Sequence, residues 1–403
     1  MVKVAALGVV VVVVVMMVGG VLGDLPPPEA PYKILMLLPV STKSHKNIFM
    51  ALAETLADRA SQLPTQCPCL SGNVYSTRTR ILLFLSCGGI GVSSPRFRNK
   101  YALTFYKITA RFPDLPPLLE IERNSSLALI NSHFSMSQTV PILPSQVEVG
   151  AIQCNPAQPL PQDLETWISG AGPEGVIYFS LGSKVQGSSM PTEYRDAFIE
   201  AFRRLPHRVI WKYDMELKGV SDNVLIRKWL PQQDILGNNK VKVFITHGGL
   251  LSLQEAIYHA TPLLSIPIVV DQPRNAFFVK NEGLGDMLVW EELTADALVN
   301  TLTEITTNPQ YMENMKRLSR LLRDQLTTPM ERAVYWTEYV IRHKGAPQLK
   351  CPAAELSWVE FLMLDVLAVL LVVLHITIYI LYRILRAISA KIFGHQKVKS
   401  KEE

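Results

Sequence analysis

From Gly175 onward, short apolar runs alternate with stretches whose apolar residues recur at helical spacing, and this alternation narrows the fold more than any other feature of the chain. Strands are predicted at 176–181, 208–213, 224–228, 241–246 and 263–266. Helices are predicted at 192–204, 250–259, 273–281, 295–306, 310–325 and 331–343. Short strands separated by helices of this length imply a parallel, doubly wound α/β sheet. Gly170, Gly172 and Gly175 match Gly-x-Gly-x-x-Gly, but they precede a strand instead of following one, so they mark a loop and not a dinucleotide site.

Upstream the pattern is weaker. Residues 32–39 suit a buried strand, and Ile48, Ala51, Leu52, Thr55 and Leu56 suit a helix over 47–59, the β-loop-α start of a Rossmann-like domain. Residues 60–100 then bring Pro64, Pro68, Cys67, Cys69, Cys87, Gly88-Gly89, Gly91 and Pro95, and only 80–86 can be a strand there. A strand is expected at 126–131. The proline-rich segment that follows suits a linker. The expected organisation is a shortened N-terminal domain at 24–140, a linker at 141–174 and a complete C-terminal domain at 175–345.

Both ends are apolar for other reasons. Lys3, the run Val4 to Val18, and Gly19, Gly20 and Gly23 have the order of a secretory signal over 1–23; the alternative is a buried strand. Residues 360–382 suit a membrane span, whose apolar run from Phe361 to Tyr382 is broken only by Asp365 and His375, with Trp358, Tyr379 and Tyr382 at its ends. The tail at 383–403 carries six Lys or Arg against Glu402 and Glu403, a net +4 of the chain's +5. The body is therefore near neutral, and nucleic acid is not expected as a partner. The basic tail should be cytosolic and the body lumenal, and Lys399 and Lys401 resemble a lysine-based retrieval signal of the endoplasmic reticulum. Five irregularly spaced cysteines fit neither a complete disulfide framework nor a zinc site, and Asn124-Ser125-Ser126 is a glycosylation sequon.

The chemistry concentrates between Trp229 and Gln272. Residues 243–246 form an apolar strand that runs into His247-Gly248-Gly249 and then a helix. Free N–H groups at such a helix start attract an anion, and a diphosphate suits them. Ser252 in the first turn adds a hydroxyl. Trp229 offers a flat face for a base, and Glu255 can accept from two vicinal hydroxyls. Taken singly, each has a plainer reading: Trp229 as a core aromatic, Glu255 on a solvated helix face, His-Gly-Gly as an ordinary turn.

Together, Trp229-Leu-Pro-Gln-Gln-Asp-Ile-Leu, Val243-Phe-Ile-Thr-His-Gly-Gly-Leu-Leu-Ser-Leu-Gln-Glu-Ala and Pro262-Leu-Leu-Ser-Ile-Pro-Ile-Val-Val-Asp-Gln resemble the signature of the UDP-glycosyltransferase family, over 44 residues. Gly175-Val-Ile-Tyr-Phe-Ser-Leu-Gly-Ser183 fits it too. The resemblance implies a GT-B fold of two Rossmann-like domains, the N-terminal one incomplete, plus one C-terminal transmembrane helix. It implies that Trp229 and Gln232 face uracil, that Ser183, His247, Gly249 and Ser252 face the diphosphate, that Glu255 takes the ribose, and that Asp271 and Gln272 hold the sugar. Leu250-Leu251-Ser252 is similar to arthropod members and leans the donor toward UDP-glucose over UDP-glucuronate.

By the same resemblance His45 is the general base that deprotonates an acceptor hydroxyl, with inversion at the sugar; its plainer reading is an incidental surface residue. An Asp that orients such a His has no evident counterpart, since Asp114 lies among prolines. The chain is thus either a natural short form or one whose residues 60–100 come from a wrong exon or frame. No Asp-x-Asp occurs, so neither a metal nor another cofactor is expected, and the UDP-sugar is a co-substrate. The expected partners are a UDP-sugar, a small lipophilic acceptor, the membrane, and further copies or related transferases. The competing expectations are a catalytically defective form that binds UDP-sugar or a partner, and a membrane-associated scaffold that binds no nucleotide.

Overall fold

The structure is a computed structural model, and it describes residues 11–16, 32–37, 52, 55, 81–83, 125–137, 139–183, 187–354 and 356–399. Residues up to Leu349 form one compact unit, and Lys350–Glu403 form a second.

The first unit is centred on a parallel six-stranded sheet. Three short strands come first, β1 (Val11–Met16), β2 (Tyr32–Leu37) and β3 (Ile81–Leu83), with β1 antiparallel and β3 parallel to β2. Residues 11–16, part of the run expected to be a leader, form β1. A parallel pair follows, β4 (Ala128–Ile130) and β5 (Gln146–Glu148). The main sheet comprises β6 (Val176–Ser180), β7 (Arg208–Lys212), β8 (Val224–Arg227), β9 (Val241–Thr246), β10 (Leu263–Ser265) and β11 (Gly285–Met287). Its spatial order is β11-β10-β9-β6-β7-β8. The chain therefore winds outward from β6 to β8, returns to the other side of β6 with β9, and winds outward again. Every residue of β6 is buried, which is why the strand is almost uniformly apolar.

Helices cover both faces: α1 (Gln162–Ser169), α2 (Thr192–Arg204), α3 (Gln232–Leu236), α4 (Leu250–Tyr258), α5 (Gln272–Asn281), α6 (Ala295–Thr307), α7 (Pro309–Arg323) and α8 (Pro329–Arg342). One face joins Tyr178 and Phe244 to Leu253, Ile257 and Leu318, and the other joins Phe179 and Trp211 to Phe198, Phe202, Leu298 and Leu302. Full burial of such a side chain contributes roughly 1.5–3 kcal/mol. Helix α8 starts from a capping box, Thr328 with Glu331, and has Pro329 in its first turn. Its Val334 and Val340 pack with Leu52, Leu127, Leu129 and Val147, and Arg332 Nη1 donates to the Glu148 carbonyl at 3.0 Å. The end of the first unit is thereby fastened to the strands that precede the main sheet.

One expectation is corrected, and two elements appear that were not expected. The 141–174 stretch is not a bare linker, because it carries β5 and α1, and Leu164 and Ile168 of α1 are buried under the main sheet. The stretch after Pro231 folds into α3, and β11 closes the sheet where no strand was expected. Of the expected helix over 47–59, Leu52 and Thr55 are helical, and its other residues lie outside the described ones.

The second unit holds a short helix, α9 (Trp358–Phe361), and a long one, α10 (Leu364–Lys399). Within Leu364–Ala390, α10 holds an 18-residue window with a mean hydropathy of 2.6, none of it buried, so by length and composition it can cross a bilayer. It runs on through Arg383 and Arg386, so the basic tail begins as helix.

Candidate functional site

In an open α/β sheet the ligand crevice lies beyond the carboxyl ends of the strands where the winding reverses. Here that point is the β6–β9 pair. Residues Leu181, Gly182 and Ser183 leave β6 there, and His247, Gly248 and Gly249 leave β9.

The His247 ring is clasped between two glycines. A Cβ on Gly182 would lie 2.7 Å from its Cε1, and one on Gly249 would lie 2.6 Å from its Nε2. No side chain fits at either position without moving the ring. Burial pushes the His247 pKa down to about 4, with Asp271 opposing and Lys212 assisting. The ring is therefore neutral at physiological pH and can donate a hydrogen bond without carrying charge. Gly249 caps the N-terminus of α4, whose free N–H groups face the same end of the sheet. Lys212, at the end of β7, donates from Nζ to the Gly182 carbonyl at 2.8 Å.

One turn into α4 lies a polar network. Gln232 Nε2 donates to Glu255 Oε2 at 2.7 Å and to Ser252 Oγ at 3.2 Å, while its Oε1 accepts from the Tyr178 hydroxyl at 3.2 Å. The buried tyrosine, stacked on Phe244, fixes which way the amide points. Burial raises the Glu255 pKa to about 7, and the Gln232 hydrogen bond only partly opposes it. A solvated helix face is thereby excluded for Glu255. Trp229, 67% exposed, is no core residue either. It stands open to solvent three positions before Gln232.

The third part is the entry to α5. Asn275 Nδ2 donates to Asp271 Oδ2 and to the Gly248 carbonyl, each at 2.9 Å. One amide thus ties the acid to the glycine turn. Gln272 Oε1 accepts from the N–H groups of Ile268 and Val269 at 2.8 and 2.9 Å, which leaves its NH₂ for a ligand. Between them Val270 has a φ of 65°, a costly conformation for a β-branched residue, directly before Asp271.

The structure thus joins Gln232, Ser252 and Glu255 in one network, and His247, Gly249, Asp271 and Gln272 along one connected edge; Ser183 is exposed beside Gly182. His45 lies outside the described residues, as do Asp114, Asn124, Cys67, Cys69 and Cys87. Cys154 and Cys351 are free thiols. Lys212, Tyr178 and Asn275 were not singled out from sequence. Lys212 and Asn275 sit one residue past an apolar strand core and one turn past the Asp-Gln pair, and position was the only available signal for them.

A family model described as UDP-glucoronosyl and UDP-glucosyl transferase matches residues 53–399. The UDP-glycosyltransferase UGT5 of Dactylopius coccus is 40% identical over 286 residues, 70% of this chain and 54% of the relative. The UDP-glucuronosyltransferase 2B13 of Oryctolagus cuniculus is 35% identical over 309 residues, 76% of this chain and 57% of the relative. The chain spans about half the length of the curated relatives it matches. A solved structure of the glycotransferase of kitacinnamycin aligns at a TM-score of 0.48 and 23% identity, over 62% of this chain and 63% of that one.

Proposed function

The chain belongs to the UDP-glucoronosyl and UDP-glucosyl transferase family, and from that premise we propose that it moves a hexose from a UDP-sugar to a hydroxyl of a small lipophilic acceptor. The observation that carries this reading is the convergence, at one sheet reversal, of a neutral His247, a helix N-terminus and two acids one turn into their helices or at the cap.

The diphosphate lies on the N–H groups at the start of α4, with His247 donating and Lys212 supplying the positive charge. Glu255 accepts from the ribose hydroxyls, and Gln232 and Ser252 hold its carboxyl in place. Trp229 stacks on uracil. Asp271 accepts from sugar hydroxyls and the Gln272 NH₂ donates to them. UDP leaves with its charge already met by fixed donors, which is how such a site stabilises a leaving group. No resident metal is required. His45 removes the acceptor proton, and attack from the face opposite UDP inverts the anomeric carbon; positioned base catalysis contributes roughly 10²–10⁴-fold. Glucose is the favoured sugar. In this reading the fold is GT-B, α10 spans the endoplasmic reticulum membrane with the body in the lumen, and the leader over 1–23 is removed.

Microsomes expressing the full chain, supplied with UDP-glucose and 1-naphthol, test it. Product that falls at least a hundredfold in His45→Ala supports the transferase. Binding of UDP-glucose with no product would instead identify a form that binds donor without turning it over.

A further inference from the structure

Gln232 and Glu255 meet at 2.7 Å from two different helices, α3 and α4. Helix α3 is five residues long, too short to hold its own place. Apolar packing of Ile235 and Leu236 with Leu253 and Ile257 seats it, but such packing has no direction and does not set how the two helices are turned. The segment that follows β5 supplies that constraint. Gln153 Nε2 donates to Gln254 Oε1 at 3.0 Å and to the Leu251 carbonyl at 3.3 Å. Gln153 Oε1 is buried and has no hydrogen-bond partner, so the side chain is held by its NH₂ alone. The Gln153 backbone carbonyl accepts from Gln233 Nε2 at 3.0 Å, and the Asn155 N–H donates to Gln233 Oε1 at 2.9 Å. These bonds fall beside the polar network and not in it: Gln233 follows Gln232, Leu251 precedes Ser252, and Gln254 precedes Glu255. Gln254 is buried, and its Nε2 also donates at 2.9 Å to Oδ1 of buried Asn131, just past β4.

We infer that Gln153 and Gln254 are positioning residues for the ribose end of the donor: together they fix how α4 is turned against α3, and so where the Glu255 carboxyl is presented. The inference rests on the reading above that Glu255 accepts from the ribose hydroxyls. Gln254 has to be an amide for this. Its oxygen faces a donor and its nitrogen an acceptor, and both links are made at once. A side chain that makes neither bond leaves Gln153 and Asn131 without buried partners. Helix α4 can then turn while its apolar face stays packed. The Gln254 side chain is spent within the protein and acts through the peptide bond to Glu255.

Calorimetric titration of the full chain in detergent with UDP and with 2′-deoxyuridine diphosphate tests it, since the second ligand lacks one hydroxyl for Glu255. Wild type should prefer UDP by about tenfold or more. Gln254→Met and Gln153→Met, which keep the length and make none of these side-chain bonds, should each bring that preference to within about twofold. Asn131→Leu should lower it in the same direction, and Asn131→Asp, which keeps the acceptor for Gln254, should retain it. That pair decides the matter where Gln254→Met does not fold. Thr337→Val, which loses a buried hydrogen bond inside α8, should leave the preference unchanged. Parallel weakening of both ligands in Gln254→Met, with the preference kept, overturns the inference and leaves Gln254 as a support of the fold. Equal loss of preference in Asn131→Leu and Asn131→Asp overturns it as well. A wild type that binds both ligands alike removes Glu255 from the ribose, and the inference with it, while the donor site stands. A wild type that binds no UDP overturns the donor reading itself.

Discussion

The two acids of the crevice are held in opposite ways. Glu255 is withdrawn from water within a network of Gln232, Ser252 and Tyr178, and its titration is displaced upward as a result. Asp271 caps a helix at the rim, held by one amide from the next turn and by a strained loop in front of it. The first arrangement is set by side chains 23 and 54 residues apart and is closed before any ligand arrives. The second is local to one helix turn. In the proposed reading, preorganisation of this kind at one end selects strictly for the uridine part of the donor, and the more lightly held rim at the other end meets the sugar.

The largest test of this contrast is the pH dependence of stability in Glu255→Gln. The folded protein keeps the Glu255 proton up to about pH 7, whereas an unfolded glutamate releases it near 4.5. The neutral acid therefore stabilises the fold most fully at low pH, and that contribution is lost as pH rises from about 4.5 to 7. Glutamine does not titrate. Relative to wild type, Glu255→Gln should gain up to roughly 3 kcal/mol between pH 4.5 and 8, since one pKa unit corresponds to about 1.36 kcal/mol. His247 shifts the other way and stabilises as pH rises from about 4 to 6.5, but it does so in both proteins and cancels in the difference. Thermal unfolding of the full chain in detergent at the two pH values measures it. A constant difference across the range would mean that Glu255 is no more buried than Asp271.

How much of this was legible in sequence follows the same division. The main sheet was legible because strands buried on both faces are uniformly apolar, and the predicted ends of β6 to β10 fall within two residues of the observed ones. The helix α1 was hidden between prolines, although Leu164 and Ile168 already had helical spacing. The strand β11, Gly285-Asp286-Met287, has almost no apolar content to reveal it. Of the candidate site, the residues proposed to meet the donor were legible as a resemblance. Their supports were not, because Tyr178 orienting Gln232 and Asn275 tying Asp271 to Gly248 are contacts across 54 and 27 residues that no periodicity encodes.

The rim should respond more selectively. Asn275→Asp keeps the volume but replaces a donor by an acceptor that faces the Asp271 carboxylate and the Gly248 carbonyl. Loss of a hydrogen bond to a charged group costs roughly 1.5–3 kcal/mol. The KM for UDP-sugar should rise about tenfold or more, while the affinity for UDP, which lacks the sugar, stays within about twofold. Calorimetric titration with each ligand separates the two. A parallel loss for both would show that Asn275 supports the whole crevice and that the rim is not independent of the ribose end.

The smallest expected effect tests the closed network from its outer side. Tyr178→Phe removes only the hydroxyl that the Gln232 Oε1 accepts, and the ring keeps its stack on Phe244. A neutral hydrogen bond contributes about 0.5–1.5 kcal/mol net. Without it the Gln232 amide can turn, and rotation would present Oε1 instead of Nε2 to Glu255. UDP affinity should fall about three- to tenfold, in line with that range, and Glu255 should titrate still higher because the group that opposed its shift is no longer oriented. The pH dependence of UDP binding in Tyr178→Phe should therefore lie above that of wild type, whereas a hydroxyl that merely fills space would weaken binding equally at every pH.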